Sequence, residues 1–348
     1  MQITVKLRLR DRHVADLNHQ ARSVNVVWNY CNERQRQAAR EHRRWLSYPD
    51  LALLTAGTST GLGIHAHTIQ RTCRAYVQAR QVHRKPWLRW RGRRSLGWVP
   101  FNTGHVTFDG AAFTFRGRRY ETMHLREIPV RAKIGAGSFN ADARGRWYLN
   151  LPVEMPEATS ASMAHVGIDL GLKALATLST GVKIATPSFY RKSEATLATA
   201  QRARKTRRVR SIHAKVAHRR RDFLHKQSAE LVTQFGLIVI GNVSPSRLAQ
   251  TPMAKSVLDA GWSDFRTMLR YKSRLRGGGA CVEVSERLTT QTCSMCGTVP
   301  PSRPKGIAGL HKRLWRCDDC GAVHDRDVNA ARNILRLGQQ TLGGGTHD

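Results

Sequence analysis

Two Cys-x-x-Cys pairs near the end of the chain restrict its fold more than any other feature of the sequence. The pairs are Cys293/Cys296 and Cys317/Cys320, 20 residues lie between them, and a glycine follows each pair. Four thiolates at this spacing are typical of one tetrahedral Zn2+ site, and the glycines permit a tight turn after each pair. Because the cysteines fill all four positions around the ion, we predict a structural zinc that stabilises the fold. The alternative is that these cysteines pack as apolar side chains.

The charge of the chain is the strongest indication of its partner. The sequence has 58 Lys and Arg against 24 Asp and Glu, a formal net charge of +34. Such an excess repels itself in a compact protein unless a polyanion neutralises it. A DNA duplex carries one phosphate per about 1.7 Å of axis, so a protein this basic can cover on the order of 20 base pairs. We predict a nucleic-acid partner. The alternative is a solvated basic surface or a membrane-surface protein, which the lack of an amphipathic lipid-facing helix disfavours.

The remaining global features predict a cytoplasmic protein without a membrane span. The first residues, MQITVKLRLRDRHV, alternate apolar and basic side chains like a strand and lack the apolar segment of a signal peptide. No apolar run approaches the roughly 18 residues that a membrane helix needs. Disulfides are not expected in a reducing compartment, so the cysteines outside the two pairs are predicted to pack in apolar cores. These are Cys31, Cys73 and Cys281.

The amino-terminal half changes character near residue 85. Before that point, residues 3–9 alternate like a strand, and apolar residues at helical spacing predict helices around Trp28 and Tyr76. After it, short segments separated by turn residues predict a small barrel or sheet. Aromatic and basic residues here can stack on bases and pair with phosphates, although a tryptophan core with a solvated basic rim explains them equally well. The candidates are Trp87, Arg89, Trp90 and Arg91.

From residue 165 onwards, strands and helices alternate. Residues 166–178 predict a hairpin, 193–235 a long helix, 237–243 a buried strand and 281–286 another strand. Parallel strands joined by helices place their ligands at the carboxyl ends of the strands. The tail, residues 338–348, is expected to be disordered.

The predicted long helix is strongly basic. Residues 191–226 contain 13 Lys or Arg, with Glu194 and Asp222 as the acidic residues. Basic side chains on all faces of a helix suit a phosphate-lined channel better than one buried side, and a solvated helix is the alternative. The candidate nucleic-acid-binding residues of this segment are Arg204, Lys205, Arg207, Arg208, Arg210, Arg219 and Arg220.

Acidic residues occur where predicted strands end. Asp169 lies at the end of a buried strand, where an unpaired charge is costly and a metal ion is a natural partner. Asp325 and Asp327 precede a predicted helix, so either of them can be a helix cap instead.

Four motifs together resemble TnpB, the transposon-encoded relative of type V CRISPR effectors. They are GIDLG at 167–171, DAGWSDFRTMLRYKS at 259–273, TTQTCSMCG at 289–297 and DRDVNAARNIL at 325–335. The amino-terminal half is similar more loosely, through GRWYLNL at 145–151. The resemblance implies an RNA-guided DNA endonuclease whose partners are a guide RNA and a target DNA with a short adjacent motif. We expect it to act as a monomer or a homodimer.

The resemblance also implies a multidomain α+β fold. A β-barrel wedge domain would comprise residues 1–12 and 86–160, interrupted by a helical recognition lobe at 13–85. An RNase H-like (RuvC) α/β nuclease domain would comprise residues 161–288 and 321–337. The zinc ribbon, residues 289–320, would be an insertion that binds the target nucleic acid.

Carried over residue by residue, two catalytic acids of the family fall on Asp169 and Asp327. Most relatives have a further glutamate at the end of the strand that ends here in Gly241. The neighbouring strand of such a sheet lies about 4.8 Å away, and Glu286 follows that strand. We therefore predict that Glu286 replaces the missing acid.

Glu283 is the reserve candidate for this role, although side chains alternate along a strand and it would point away from Glu286. The alternative for Glu286 is a surface carboxylate paired with Arg287. In the hypothesis, two Mg2+ ions, for which Mn2+ could substitute, are held by Asp169, Glu286 and Asp327. They would activate water and stabilise the departing 3′ oxygen. The competing hypotheses are a nuclease-dead RNA-guided DNA-binding repressor and a protein-only zinc-ribbon DNA binder or junction resolvase.

Overall fold

The computed structural model describes most of the chain. The described residues are 2–41, 45–123, 128, 132–154, 162–243, 254–276, 279–305, 309 and 312–343. The chain divides into two compact units, residues 1–155 and 156–348.

The β-structure of the first unit is antiparallel. Its strands are β1 (Gln2–Arg8), β2 (Trp98–Phe101), β3 (Val106–Phe108), β4 (Phe113–Phe115), β5 (Arg118–Tyr120), β6 (Gly137–Ala141) and β7 (Trp147–Glu154). One sheet has the order β1-β7-β6-β2, and the other has the order β3-β4-β5. Val5 and Leu7 of β1 are buried in the same core as Phe113 and Phe139, so one apolar core joins both sheets. The predicted strand at the amino terminus is therefore confirmed.

The helices of the first unit lie between β1 and β2 in the chain. They are α1 (Val14–Glu41), α2 (Tyr48–Leu54), α3 (Ser59–Leu62) and α4 (Ala66–His83). Trp28 and Cys31 of α1 are buried against Cys73 and Tyr76 of α4 in a second apolar core. The predicted helical spacing of these residues and the apolar packing of both cysteines are confirmed.

The second unit is built on a mixed five-stranded sheet. Its strands are β8 (His165–Leu170), β9 (Ala174–Leu178), β10 (Lys183–Ala185), β11 (Leu237–Gly241) and β12 (Ala280–Val284). The order is β10-β9-β8-β11-β12, in which β8, β9 and β10 are antiparallel while β8, β11 and β12 run parallel. The carboxyl ends of β8, β11 and β12 therefore share one edge, and the predicted pairing of β11 with β12 is confirmed.

Helices cover both faces of this sheet. They are α5 (Phe189–Arg202), α6 (Thr206–Gln234), α7 (Ala254–Ala260), α8 (Trp262–Leu275) and α9 (Arg326–Gly343), and a hairpin of β13 (Leu314–Arg316) and β14 (Val323–Asp325) precedes α9. Leu224 of α6 and Phe265 of α8 pack with Ile238 on one face, whereas Ile334 of α9 packs with Val239 on the other. Among the described helices, none combines the length and the apolar character needed to cross a bilayer.

The structure corrects two helix boundaries predicted from the sequence. The long basic helix predicted over residues 193–235 is interrupted between α5 and α6, where Arg204 adopts a left-handed conformation with φ of 52°. The tail predicted to be disordered from residue 338 is helical up to Gly343. Gly338 does not end the helix; a Cβ there would lie 2.4 Å from both methyl carbons of Val239, so glycine allows α9 to lie directly against β11.

Candidate active site

Asp169 lies near the carboxyl end of β8, level with the end of the neighbouring strand. Ile168 pairs with Ile240, so Asp169 and Gly241 are the next residues along β8 and β11. Burial raises the pKa of Asp169 well above its usual range, and the negative charges of Glu286 and Asp327 raise it further. Arg326 acts in the opposite direction. The three predicted acids are thus brought close enough to interact electrostatically.

The side chain of Glu286 fills the space that a side chain at position 241 would occupy. A Cβ on Gly241 would lie 2.1 Å from Glu286 Oε1, 2.5 Å from its Cγ and 2.6 Å from its Cδ. Real Cβ contacts are never this short, so any other residue at position 241 would displace Glu286. The inward direction of Glu286 therefore depends on the absence of a side chain at residue 241, at the end of β11.

The environment of Glu286 suits a cation ligand. Its carboxylate accepts a hydrogen bond from the backbone N–H of Val243, but burial outweighs this contact and raises its pKa. Oε1 is buried and makes no hydrogen bond to any described residue. A buried carboxylate oxygen without a partner is costly, and a metal ion would remove that cost.

Glu283, the reserve candidate, is directed elsewhere. It forms ion pairs with Arg270 and Arg266 of α8, the latter at 3.7 Å. Glu283 therefore pairs with residues of α8, and Glu286 is the glutamate that belongs to the acid cluster.

Asp325 and Asp327 have different roles at the start of α9. Asp325 Oδ1 accepts hydrogen bonds from the N–H groups of Asp327 and Val328, both at 3.0 Å, and Asp325 also pairs with Lys183 at 2.7 Å. Asp325 is therefore the helix cap. The carboxylate of Asp327 does not cap the helix, and its negative charge interacts with Asp169.

Arginine side chains contact both oxygens of Asp327. Arg313 Nη1 donates to Oδ2 at 2.8 Å. Arg326 donates to Oδ1 from Nη2 at 3.0 Å and from Nε at 3.2 Å. These contacts orient the carboxylate and offset part of the negative charge of the cluster.

The four paired cysteines converge as the spacing predicts. Their Sγ atoms all lie within 4.8 Å of one another, with 3.7 Å between Cys293 and Cys320 and 3.8 Å between Cys296 and Cys317. Thiolates 2.3 Å from a tetrahedral Zn2+ would be about 3.8 Å apart, so the group could hold zinc.

Both cysteine pairs have the same backbone turn. The N–H of Gly297 donates to the carbonyl of Cys293, and the N–H of Gly321 donates to the carbonyl of Cys317, each at 2.9 Å. The two glycines have φ values of +79° and +72°, which side chains rarely permit. The predicted need for glycine after each pair is confirmed.

Three residues near these sites were not singled out from the sequence. His324 Nε2 lies 3.0 Å from Cys293 Sγ. Asn329 and Asn333 of α9 are buried, and their amide groups donate to the carbonyls of Thr289 and Thr292, in the segment between Glu286 and the first cysteine pair. Asparagines four residues apart share a helix face, and this was the signal that could have identified them.

In the first unit, two asparagine side chains of α1 bind the backbone of the loop between α4 and β2. Asn32 of α1 accepts from the N–H of Leu88 at 2.8 Å and donates to its carbonyl at 2.9 Å. Asn29 makes the same pair of contacts with Arg91, at 2.8 Å and 2.7 Å. The basic-aromatic segment is therefore fixed on α1.

The loop residues predicted to bind nucleic acid differ in accessibility. Trp87 and Trp90 are 42% and 45% exposed, and the Arg36 guanidinium lies about 6 Å from each ring. The Arg91 guanidinium instead lies 3.7 Å from the ring centre of Trp28, and burial lowers its pKa. Arg91 therefore has an internal contact. Exposed Arg89 lines, with Trp90, a cavity of about 1020 Å³ beside this loop.

Most of the basic residues predicted on the long helix are exposed. Arg220 differs, because its Nη1 donates to the carbonyl of Leu258 at 2.9 Å and lies 3.9 Å from Asp259. It connects α6 to α7. The exposed residues are Arg204, Lys205, Arg207, Arg208, Arg210 and Arg219.

Family models match two segments of the chain, residues 150–251 and 262–334. The model described as "Cas12f1-like, TNB domain" matches residues 262–334, which contain both cysteine pairs and Asp327. The model described as "Probable transposase" matches residues 150–251, which contain Asp169 and Gly241.

Similar proteins extend the match to nearly the whole chain. A "Putative RNA-guided DNA endonuclease" of Streptomyces pristinaespiralis is 32% identical over 94% of this chain and 87% of that protein. The "Putative RNA-guided DNA endonuclease InsQ" of Escherichia coli K12 is 32% identical over 57% of this chain and 55% of its own length. A solved Cas12f1–sgRNA–target DNA complex aligns with 97% of this chain and 100% of its own, at 12% identity and a TM-score of 0.40.

This chain belongs to the TnpB family, since a relative at 32% identity matches it over most of both lengths. Both of these relatives are named as putative RNA-guided DNA endonucleases.

Proposed function

We propose that the protein is an RNA-guided DNA endonuclease that hydrolyses phosphodiester bonds at the carboxyl edge of the mixed sheet. The observation that carries the proposal is the side chain of Glu286, which occupies the space beside Gly241 and joins Asp169 and Asp327. Three acids from distant parts of the chain meet there. Buried carboxylates at close range repel one another, so their convergence favours a shared cation.

The donor atoms of this cluster suit a hard divalent cation. Carboxylate oxygens favour Mg2+ or Mn2+, whereas the thiolates of the cysteine group favour zinc. Asp169, Glu286 and Asp327 would hold the cations, and Oε1 of Glu286 is a buried oxygen that lacks another partner among the described residues. Bound cations would supply activation of water and stabilisation of the leaving oxygen at a phosphate.

The sheet order supports an RNase H-like, RuvC-type nuclease domain in the second unit. Strands β10, β9 and β8 form the antiparallel part of the sheet. Strands β11 and β12 lie on the other side of β8 and run parallel to it. Residues 289–320, which lie between β12 and α9, would be the zinc-binding insertion. In the first unit, the sheets would be the wedge domain and α1–α4 the recognition lobe.

The repressor hypothesis rested on the missing acid at Gly241, and the position of Glu286 removes that reason. A cleft that merely bound DNA would gain nothing from a buried carboxylate oxygen without a hydrogen bond. The geometry therefore supports DNA hydrolysis better than DNA binding without cleavage.

The experiment that tests this function uses the native chain purified with its own RNA. Sequencing that RNA identifies the guide segment, which is then replaced by a new sequence. We expect plasmid cutting to follow the new guide and to require Mg2+ or Mn2+. Cutting that ignores the guide, or a protein that purifies without RNA, would contradict the proposal.

The exposed tryptophans suggest where unpaired bases of the RNA bind. Replacing Trp90 with alanine should weaken RNA binding about tenfold, because loss of one base stack costs roughly 1–3 kcal/mol. The measurement is a binding titration at one fixed salt concentration. Trp45→Ala is the matched control, since Trp45 is 47% exposed in the same unit. An equal loss of affinity in both variants would count against a specific role for Trp90.

A further inference from the structure

A cation at Asp327 would share its carboxylate with two positively charged arginine side chains. Arg313 occupies Oδ2 and Arg326 occupies Oδ1, so a cation shared with Asp169 would compete with one of these guanidinium groups. Hydrogen bonds between charged groups are about twice as strong as neutral ones, so this competition affects cation affinity measurably.

Arg313 is the arginine that can yield. It makes one hydrogen bond to Asp327 and its side chain is 36% exposed, whereas Arg326 makes two and is 13% exposed. The backbone of Arg313 stays in place, because its carbonyl accepts from the N–H of Arg326 at 2.8 Å. A released Arg313 guanidinium therefore remains near the acid cluster.

Arg313 also belongs to a different segment from the acids. It lies between the two cysteine pairs, directly before β13. Its contact with Asp327 is a direct polar link between the zinc-binding segment and the acid cluster.

We propose that Arg313 is a positioning residue that couples cation binding to the arrival of a nucleic-acid phosphate; this rests on the proposed function. The guanidinium competes with the cation for Asp327 until a phosphate replaces Asp327 as the partner of Arg313. Planar guanidinium groups bind phosphate through paired hydrogen bonds, so the exchange replaces one charged partner with another. Phosphate and cation then favour each other's binding to the same degree.

The test measures Mn2+ binding to the full-length, zinc-loaded protein without nucleic acid, by calorimetry or electron paramagnetic resonance. Arg313→Gln should bind Mn2+ about tenfold more tightly than the native protein, because the competing positive charge is gone. Lys183→Gln is the matched control. It also removes one positive charge, but that charge pairs with the neighbouring Asp325, so the Mn2+ affinity should be unchanged. Zinc content is measured in each variant to verify that the cysteine group is intact.

A second measurement adds guide RNA and an uncleavable target DNA. We expect the complex to tighten Mn2+ binding in the native protein and to have little such effect in Arg313→Gln. If Mn2+ binding is sensitive to Asp169→Asn but identical in the native protein and Arg313→Gln, the coupling is wrong while the proposed metal site stands. If neither protein binds Mn2+ in a way that depends on Asp169, the proposed function and the coupling both fail.

Discussion

Replacing Glu286 with alanine should reduce guide-dependent DNA cleavage about a thousandfold while RNA and DNA binding stay close to native. A metal ligand contributes several kcal/mol to the stabilisation of the transition state, and each 1.36 kcal/mol is about a factor of ten in rate. Glu286 supplies a buried oxygen to the acid cluster, so its loss removes one third of the carboxylate ligands that we propose. The measurement is a single-turnover cleavage rate beside a binding titration of the same complex.

Glu283→Ala is the matched control for this prediction. It removes a glutamate from the adjoining strand, but one whose partners are Arg266 and Arg270 of α8. Cleavage should persist in this variant. A native rate in Glu286→Ala, or equal losses in both variants, would exclude Glu286 as the replacement for the family's acid.

Gly241→Ala tests the same geometry without removing any acid. The added Cβ would collide with the carboxylate of Glu286 at 2.1 Å, so the side chain must leave its position. We expect a large loss of cleavage in this variant too. Gly61→Ala is the matched control, because Gly61 lies in α3 and an added Cβ there would have no heavy atom within 4 Å.

Replacing Cys317 with serine should remove zinc and disable the enzyme. Structural zinc sites contribute on the order of 10 kcal/mol to folding, because the ligands are not assembled in the unfolded chain. We expect the zinc content to fall from about one ion per chain to near zero. The segment 289–325 should become sensitive to protease, and cleavage of DNA should be lost.

The loss of cleavage would follow from contacts outside the cysteine group. Asn329 and Asn333 hold the carbonyls of Thr289 and Thr292, which connect Glu286 to the first cysteine pair. Cys281→Ser is the matched control, because Cys281 lies in β12 and is not part of the group. A Cys317→Ser protein that retained its zinc and its activity would show that the four cysteines do not form a structural site.

Features defined by local spacing could be predicted from the sequence. The cysteine pairs, the glycine turns after them and the short strands of the mixed sheet depend on neighbouring residues, and the structure confirms their arrangement. The place of Glu286 could also be predicted, since strand pairing brings β12 beside β11. Its catalytic role stays a prediction.

Features set by contacts between distant residues could not be predicted in this way. Gly338 was predicted to begin a disordered tail, but its lack of a side chain allows close packing of α9 against Val239. Arg91 and Arg220 looked like free basic residues, yet Trp28 and the carbonyl of Leu258 engage them. Composition cannot reveal such contacts, because each depends on how separate segments meet.

The amide contacts of Asn29 and Asn32 have a consequence for recognition. Binding to a flexible loop costs about 0.5–1.5 kcal/mol for each side chain that becomes ordered. Here the backbone around Trp90 is fixed during folding by paired hydrogen bonds to α1. The backbone that carries the Trp90 ring is thus preorganised, so a base that stacks on this ring would not have to order the loop backbone.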